Sequence, residues 1–323
     1  MCRYIDFASF GMGTDLMQRI YGEGREDVAE LVVLEIQRIE QLMSFYNMQS
    51  ELSRINAASG NEEIQVSKET LEVINASREY SVLSKGLFDV TIGPLTKLWG
   101  IFTKNEVIPS QTEIEEVLQL VNYQDVVINE KTHSIKLNKR GQMIDLGGIA
   151  KGYAADRVIK LYLENGIKSA FINIGGNVLT LGSKPDGSPW HIGLQDPAKS
   201  RGQYIGVMSV ANQAVVTSGD YVRFFEEDGV RYHHILNPFT GYPVISDIIS
   251  VTIIAKNSIE ADGLATPVYT LGLEAGMELV NRLKDTEAIF ITKDRKIVLT
   301  EGAADIFTIC YNDWNDYKII NKN

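Results

Sequence analysis

The fold is decided by the segment MIDLGGIAKGYAADRVIKLYLENG, residues 143–166, which separates two kinds of sequence. The segment itself predicts a strand that passes through Gly147 and Gly148 into a helix, which begins near Ile149 and ends at Gly166. Upstream of it, long stretches place apolar residues at helical spacing. Downstream of it, most stretches alternate apolar and polar residues, as strands do. Because these blocks lack a regular strand–helix alternation, they predict an α+β fold with mixed, largely antiparallel sheets and flanking helices.

The stretches before this segment predict three helices. Apolar residues recur at helical spacing over 25–46. A second helix is predicted from 67 onward and is expected to place Gly86 at its C′ position. Ser110 and Glu113 have the spacing of a capping box, which predicts that a third helix starts there.

Most of the remaining chain predicts strands and hairpins, with helices across 262–284. A strand is predicted at TDLMQRIYG (14–22) and a hairpin at DVVINEKTHSIKLN (125–138). Further strands are predicted at AFINIGGNVLTLG (170–182), WHIGLQD (190–196), YIGVMSV (204–210), QAVVTSG (213–219), YVRFF (221–225), RYHHILN (231–237), SVTIIA (250–255), EAIFIT (287–292), KIVLT (296–300) and DIFTICY (305–311).

The composition is that of an ordinary globular protein without a basic surface. The chain has 323 residues, of which 44% are hydrophobic and 23% charged, and its formal net charge is −11. This acidic balance excludes a nucleic-acid footprint. No repeat, low-complexity tract or linker interrupts the sequence, which predicts a single domain over 1–323. Cys2 and Cys310 give no disulfide framework, and the sequence has no signal peptide or membrane segment, so a cytoplasmic protein is expected.

The segment EADGLATP, residues 260–267, carries the first candidate site. Asp262 and Thr266 are four positions apart, so they could share one helical face and offer hard oxygen ligands to Mg²⁺. Alternatively, Thr266 could cap a helix whose first position is Pro267. The local sequence leaves both interpretations open.

Two other segments have a structural and a functional interpretation. In DLGGIAKGYAAD, residues 145–156, the free amides of a helix start and Lys151 could bind an anion, or the glycines could only form a tight turn. The spacing fits neither the dinucleotide fingerprint nor the P-loop. In FDVTIGPLTKLWG, residues 88–100, Asp89 is interpreted locally as a turn-capping residue and Trp99 as a core aromatic.

The segment RYHHILNPFTGYPV, residues 231–244, contains two of the four histidines of the chain. In a strand, His233 and His234 would point to opposite faces, so only one of them is expected to face a site. Pro238 and Gly241 predict a sharp turn after them. With so few histidines, these two are candidates for proton transfer near neutral pH.

Taken together and in order, these segments resemble a known family. Seven segments, several of them described above, are similar to segments of the ApbE family of FAD:protein FMN transferases: FGMGT, ELSRIN, FDVTIGPLTKLW, DLGGIAKGYAAD, INIGGN, HHILNPFTGYP and SVTIIAKNSIEADGLAT. The similarity extends from about Met12 to about Gly272. It implies an ApbE-like α+β fold with a tunnelling-fold-like duplication, formed by a single flavin transferase domain over 1–323.

The resemblance also implies an activity. Members of the family split FAD at its pyrophosphate and attach FMN through a phosphoester to a Thr or Ser hydroxyl of an acceptor flavoprotein, releasing AMP. They require Mg²⁺. Cleavage of a phosphoanhydride is an in-line displacement that depends on charge neutralisation and alignment, which suits an Mg²⁺ site beside a helix start.

By position, the resemblance assigns roles to individual residues. It implies that Asp262, Thr266 and the backbone carbonyl of Gly148 are Mg²⁺ ligands. His234 and Asp262 are the implied catalytic residues, with His234 taking the proton of the acceptor hydroxyl. The implied FAD contacts are Met12, Tyr46, Phe88, Asp89, Asp145, Lys151, Ile235 and Leu236.

The sequence departs from the family pattern near the implied metal ligands. Pro267 stands where Ala is more usual, and because it lacks an amide it is expected to disturb a helix already under way at Asp262. Two other functions stay open. The same site could act as an Mg²⁺-dependent FAD pyrophosphatase, or the protein could be a non-catalytic module that stores FAD. Many relatives of the family are exported and lipid-anchored, so an extracytoplasmic, lipid-anchored form stays open as the alternative if a leader was removed.

Overall fold

The computed structural model describes residues 3–101, 103, 106–310 and 316–321, so Cys2 lies outside the described residues. The chain divides into two compact units. The first comprises Met1–Gln37, Lys151–Ser218 and Asp247–Asn323, and the second comprises Arg38–Ala150 and Gly219–Ser246. The single domain over 1–323 stays a prediction.

The helices and strands follow one another in a mixed order along the chain. The helices are α1 (Glu26–Met43), α2 (Glu51–Ala57), α3 (Lys68–Leu83), α4 (Gly93–Trp99), α5 (Gln111–Leu118), α6 (Ala150–Glu164), α7 (Ser258–Asn281) and α8 (Glu301–Ile306). The strands are β1 (Tyr4–Gly11), β2 (Thr14–Tyr21), β3 (Ile64–Gln65), β4 (Val126–Asn129), β5 (Ser134–Leu137), β6 (Ala170–Ile174), β7 (Asn177–Leu181), β8 (Trp190–Gln195), β9 (Tyr204–Val210), β10 (Ala214–Gly219), β11 (Phe224–Glu227), β12 (Val230–His233), β13 (Ile248–Ala255), β14 (Glu287–Thr292), β15 (Lys296–Leu299), β16 (Phe307–Ile309) and β17 (Lys318–Asn321).

The first unit is built on a nine-stranded sheet with the order β1-β2-β6-β7-β10-β13-β14-β15-β17. β15 and β17 pair in parallel, whereas β1–β2, β2–β6, β6–β7, β7–β10, β13–β14 and β14–β15 are antiparallel. A second, three-stranded sheet has the order β16-β9-β8. The two sheets contribute to one hydrophobic core, which includes Trp190 and Phe307 from the three-stranded sheet and Ile254 and Ile289 from the nine-stranded sheet. The predicted α+β class with largely antiparallel sheets is therefore confirmed.

The long helix α7 belongs to this unit and packs on β13 and β14. The fully buried residues Ile253 and Phe290 lie on one face of these two strands, and α7 covers that face, since a Cβ on Gly276 would lie 3.2 Å from Phe290 Cε1. α7 in turn buries Leu264, Val268 and Tyr269. This packing fixes the helix that carries Asp262 and Thr266.

The second unit contains α2 to α5 and two small sheets, β3-β5-β4 and β11-β12. Its core includes Leu95, Ile114, Leu236 and the fully buried Trp99. The indole Nε1–H of Trp99 donates to the carbonyl of Gly241 at 2.8 Å, which ties α4 to the turn after the histidine pair. The interpretation of Trp99 as a core aromatic is correct.

Most predicted elements are present, and most departures lie at their ends. The capping box of Ser110 and Glu113 forms with both of its hydrogen bonds. At the end of α3, Lys85 (φ 54°) occupies the C′ position predicted for Gly86, which is one residue further on. Gly86 N–H donates to the carbonyl of Ser81, so the two residues complete a Schellman motif.

Several predicted strands are shorter than expected or absent. The strand predicted over 221–225 begins only at Phe224, and the one predicted over 305–311 is limited to Phe307–Ile309, with residue 311 outside the described residues. Before α6, the stretch MIDL contributes only an isolated bridge between Met143 and Ile92 and forms no strand. The strand predicted over 231–237 ends at His233, where the backbone turns and the amide of Asn237 donates to Tyr242. Within the part of the chain that the structure describes, none of the helices has the length and hydropathy that a membrane-spanning segment needs.

Candidate active site

The metal-ligand candidates Asp262 and Thr266 lie one turn apart within α7, which begins at Ser258 after the cap residue Asn257. Thr266 therefore lies in the helix interior, and the interpretation that it caps a helix starting at Pro267 is wrong. The backbone stays helical through Pro267 and breaks at Gly272 (φ 77°, ψ −167°). This break requires glycine, because residues with a Cβ rarely adopt this φ and ψ, and a Cβ would also lie 2.5 Å from Asp247 Oδ1.

Asp262 is a buried residue, with 5% of its surface exposed, and one of its two carboxylate oxygens accepts a hydrogen bond. Its Oδ2 accepts a hydrogen bond of 2.8 Å from the amide of Gly152 in α6. Within the described part of the chain, Oδ1 has no hydrogen-bond donor. Oδ1 is not among the fully buried side-chain atoms that lack a partner, so it is open to solvent and accessible to a cation.

This arrangement fits Mg²⁺ better than a metal with a full protein cage. No group of three or more His, Cys, Asp or Glu residues that could hold a metal occurs among the described residues. Mg²⁺ keeps several waters and takes one or two carboxylates plus phosphate oxygens, so a single carboxylate with a neighbouring hydroxyl is compatible with it. Gly148 lies in the turn just before α6, four residues ahead of Gly152.

Two residues beside Asp262 were missed by the sequence interpretation, although both lie in the quoted run DLGGIAKGYAAD. Gly152 allows α6 and α7 to touch, since a Cβ there would lie 2.4 Å from the Ser258 carbonyl oxygen and 2.7 Å from Asp262 Cβ. Asp156, one turn further along α6, accepts hydrogen bonds from the amides of Ser258 and Ile259 at 2.8 and 2.9 Å. Burial raises the pKa of the Asp156 carboxyl to about 6, against the effect of these two amides.

The two other predicted site residues of the first unit lie at a hairpin tip and a helix start. Met12 (φ 51°) and Gly13 (φ 69°) form the two-residue turn between β1 and β2. The β6–β7 turn at Gly175 lies beside this hairpin, because a Cβ on Gly175 would be 2.3 Å from Thr14 Oγ1. Lys151 is half-buried in the first turn of α6.

In the second unit, Tyr46 and Asp145 lie close enough to interact electrostatically. Partial burial raises the pKa of the Tyr46 phenol to about 12, the Asp145 charge adds to this rise, and Arg223 opposes it. The Asp145 carboxylate also accepts a hydrogen bond from the amide of Gly147 at 2.8 Å. Two predicted FAD contacts are thus neighbours, and Arg223 is a cation near them that the sequence interpretation did not select.

Both carboxylate oxygens of Asp89 accept hydrogen bonds from residues of the second unit. Its Oδ1 accepts hydrogen bonds from the amide and hydroxyl of Thr91 at 2.8 and 2.6 Å, and its Oδ2 accepts one from the amide of Tyr123 at 2.9 Å. Burial raises the pKa of this carboxyl, and these donors oppose the rise. The turn-capping interpretation is correct for Asp89. The neighbouring Phe88 is buried. FAD contacts of both residues stay predictions.

The two histidines have different surroundings. His233 is buried, its Nδ1 accepts from the amide of Ile235 at 3.3 Å, and its Nε2 lies 2.9 Å from the Val244 carbonyl oxygen. His233 is therefore held inside the unit as a neutral ring with its proton on Nε2. The half-buried His234 places Nδ1 3.2 Å from the carbonyl oxygen of Arg223. A carbonyl only accepts, so Nδ1 carries the proton and the lone pair of the neutral ring is on Nε2.

Ile235 and Leu236 follow the histidines and are both buried. The amide of Ile235 donates to His233 Nδ1, and its carbonyl accepts from the amide of Val244 at 2.9 Å. Leu236 forms an isolated bridge with Pro243. The backbone contacts to FAD expected from these two residues stay predictions.

Comparison with known proteins identifies the family. A model described as the ApbE family matches residues 12–290 of the chain. The chain belongs to the ApbE family. A FAD:protein FMN transferase of Klebsiella pneumoniae (strain 342) is 37% identical over 298 residues, covering 92% of this chain and 92% of the relative. One of Treponema pallidum (strain Nichols) is 32% identical over 289 residues, covering 85% and 80%.

Solved structures of ApbE proteins share the fold. The ApbE protein from Thermotoga maritima superposes with a TM-score of 0.86 at 35% identity, covering 94% of this chain and 99% of that one. The flavin transferase ApbE from Vibrio cholerae also gives 0.86, at 28% identity, covering 95% and 100%. The predicted ApbE-like fold and the prediction that the chain is an enzyme are both confirmed.

Gly152 gives a first test of how this ApbE-family chain holds Asp262. We expect Gly152→Ala to lower the free energy of unfolding by about 1–3 kcal/mol, because the methyl group would overlap α7. Alanine normally stabilises a helix interior by about 1 kcal/mol relative to glycine. A net loss of stability would therefore be due to the close contact between the two helices. Urea denaturation measures it, with Lys160→Ala on the exposed face of α6 as the control. A Gly152→Ala protein as stable as wild type would contradict the close contact.

Proposed function

We propose that this protein is a FAD:protein FMN transferase that depends on Mg²⁺. It cleaves FAD at the pyrophosphate and joins FMN to a Thr or Ser hydroxyl of an acceptor flavoprotein through a phosphoester, releasing AMP. The observation that carries the proposal is the buried Asp262 carboxylate, which Gly152 holds through one oxygen while the other has no donor among the described residues. Family membership supports the same activity.

Asp262, Thr266 and the carbonyl of Gly148 would hold the Mg²⁺. The ion, when bound, supplies positive charge that stabilises the diphosphate during displacement. Asp262 provides the anionic ligand, and its Oδ2 is kept in place by the Gly152 amide. Thr266 follows one turn later on α7 and presents its hydroxyl from the same helical face. Lys151 and the amides at the start of α6 would attract the phosphates.

FAD would be bound by Met12, Tyr46, Phe88, Asp89, Asp145, Lys151, Ile235 and Leu236. Tyr46 is a hydrogen-bond donor over the whole physiological pH range, because its pKa is raised to about 12. Asp89 still has acceptor capacity on Oδ2, which receives one hydrogen bond. Both side chains would therefore offer polar groups to the nucleotide.

His234 would act as the general base. The threonine Oγ–H gives its proton to His234 Nε2 as the bond from Oγ to the FMN phosphorus forms, and the bond from that phosphorus to the AMP phosphate oxygen breaks. The carbonyl of Arg223 supports this role, because its hydrogen bond to Nδ1 leaves the lone pair on Nε2. General base catalysis of this kind typically raises the reaction rate ~10²–10⁴-fold.

The test is incubation with FAD, Mg²⁺ and a flavoprotein acceptor that has a usable threonine. We expect AMP release together with a fluorescent acceptor band on a denaturing gel, and neither in EDTA. Free FMN and AMP without a band, using an acceptor already known to be flavinylated on threonine, would replace the transferase by a pyrophosphatase. Bound FAD without AMP would indicate a storage module instead. A cytoplasmic location stays a prediction.

A further inference from the structure

The start of α7 is anchored by a side chain from another helix. Asp156 on α6 accepts hydrogen bonds from two successive amides, those of Ser258 and Ile259, at 2.8 and 2.9 Å. Asn257 occupies the N-cap position, and its side chain makes no capping hydrogen bond. A carboxylate 102 residues away in sequence thus replaces the local cap of α7.

Asp156 and Gly152 lie four residues apart on α6, so both face α7 from the same side of the helix. Gly152 donates its amide to Asp262 Oδ2, one turn into α7, and Asp156 holds the first turn. Ser258 adds a third attachment, since its buried hydroxyl donates to Asn177 Oδ1 at 2.6 Å. These contacts fix both the position of α7 along α6 and its rotation about its own axis.

We propose that Asp156 is a positioning residue for the metal site: by anchoring the first turn of α7 it fixes the direction in which Asp262 Oδ1 and the Thr266 hydroxyl point. This inference rests on the proposed function for its metal. Asp156 itself does not touch the ion. Residues that orient metal ligands typically change metal affinity or activity 10–100-fold when they are replaced.

The decisive substitution is Asp156→Asn, which keeps the volume of the side chain. Its amide group would present a donor to one of the two backbone N–H groups, so one of the two hydrogen bonds is lost. We expect the affinity for Mn²⁺, measured by electron paramagnetic resonance with ADP as the diphosphate, to fall about 10–100-fold. In the FAD assay, the Mg²⁺ concentration for half-maximal rate should rise by a similar factor, with little change in the KM for FAD.

Asp247→Asn is the matched control, because Asp247 Oδ1 accepts a hydrogen bond from the amide of Leu273 at 3.1 Å on the same helix. That amide lies beyond the break at Gly272, so the control loosens α7 without loosening the turn before Asp262. Thermal unfolding in EDTA compares the two variants for stability alone. If Asp156→Asn fails to fold, Asp156→Glu keeps the charge and both acceptor oxygens, and it should fold with a smaller loss of Mn²⁺ affinity.

The outcomes separate this inference from the proposed function. A loss of Mn²⁺ affinity in Asp156→Asn but not in Asp247→Asn supports it. Equal affinities in wild type and Asp156→Asn, or equal losses in both variants, overturn it even when wild-type transfer is normal. A wild-type protein that binds Mn²⁺ with ADP but releases no AMP from FAD overturns the transferase proposal, and the titration still decides the role of Asp156. Failure of the wild type to bind Mn²⁺ overturns both.

Discussion

Asp262→Asn is expected to lower the rate of FMN transfer about 10²–10³-fold. A bound metal stabilises the charge of the transition state by several kcal/mol, and each ~1.36 kcal/mol in the activation free energy changes the rate tenfold. Asparagine retains the volume and an oxygen that accepts from the Gly152 amide. It removes the negative charge that Mg²⁺ requires. AMP release at saturating FAD, followed over a range of Mg²⁺ concentrations, measures the loss.

Asparagine is preferable to alanine at this position. Asp262 is buried, and alanine would leave the Gly152 amide without its acceptor, at a cost of about 1–3 kcal/mol in stability. A loss of activity in Asp262→Ala would therefore combine a lost ligand with a loosened contact between α6 and α7.

Glu260→Gln is the control for charge. Glu260 lies two residues earlier on α7 and accepts a hydrogen bond from the Thr286 hydroxyl, which the glutamine oxygen can still accept. The variant removes the same charge from the same helix and should keep nearly full activity. Wild-type activity in Asp262→Asn, or equal losses in the two variants, would remove Asp262 from the metal site.

Most of the strands could be predicted because their signals are local. The stretch 170–182, which is predicted to be strand, forms β6 and β7 on the two sides of Gly175 and Gly176, which take positive φ angles in the turn. The capping box of α5 likewise needs only Ser110 and Glu113, three residues apart. In both cases the residues that determine the structure are neighbours in the sequence.

The start of α7 was missed, although Asn257 and Glu260 have the three-residue spacing that is typical of a helix start. Thr266 and Pro267 have the residue types of a helix start, yet the helix begins eight residues before Thr266, at Ser258. Its first turn is satisfied by Asp156, and packing on β13 and β14 keeps the helix continuous through Pro267. Tertiary contacts override the local preference of proline here.

The candidate site could be predicted only in part, because some of the residues that form it are far apart in the sequence. The spacing of Asp262 and Thr266 predicts that they share a helical face, and both lie on α7. The Gly152 amide that holds Asp262 is 110 residues away, so no local pattern indicates it. The sequence also predicts that only one of the two histidines faces a site, but the identity of the proton-bearing nitrogens depends on the carbonyls of Arg223 and Val244.

The second large effect is expected at His234. We expect His234→Gln to slow FMN transfer about 10²–10⁴-fold while FAD binding, measured by fluorescence titration, changes little. Glutamine can still donate to the Arg223 carbonyl, so the loop keeps its hydrogen bond, but it has no basic nitrogen. The variant should also lose the fall in rate at acidic pH that protonation of a general base produces.

His233→Gln is the matched control because the two residues are adjacent and chemically identical. His233 bridges the Ile235 amide and the Val244 carbonyl inside the unit, so its replacement should lower the free energy of unfolding by about 1–3 kcal/mol. At a temperature where the variant is folded, its transfer rate should stay close to wild type. Equal losses of FAD binding and transfer in His234→Gln would make His234 a binding residue. A larger loss of transfer in His233→Gln would exchange the roles of the two histidines, and the Arg223 carbonyl would then fix a ring that takes no part in proton transfer.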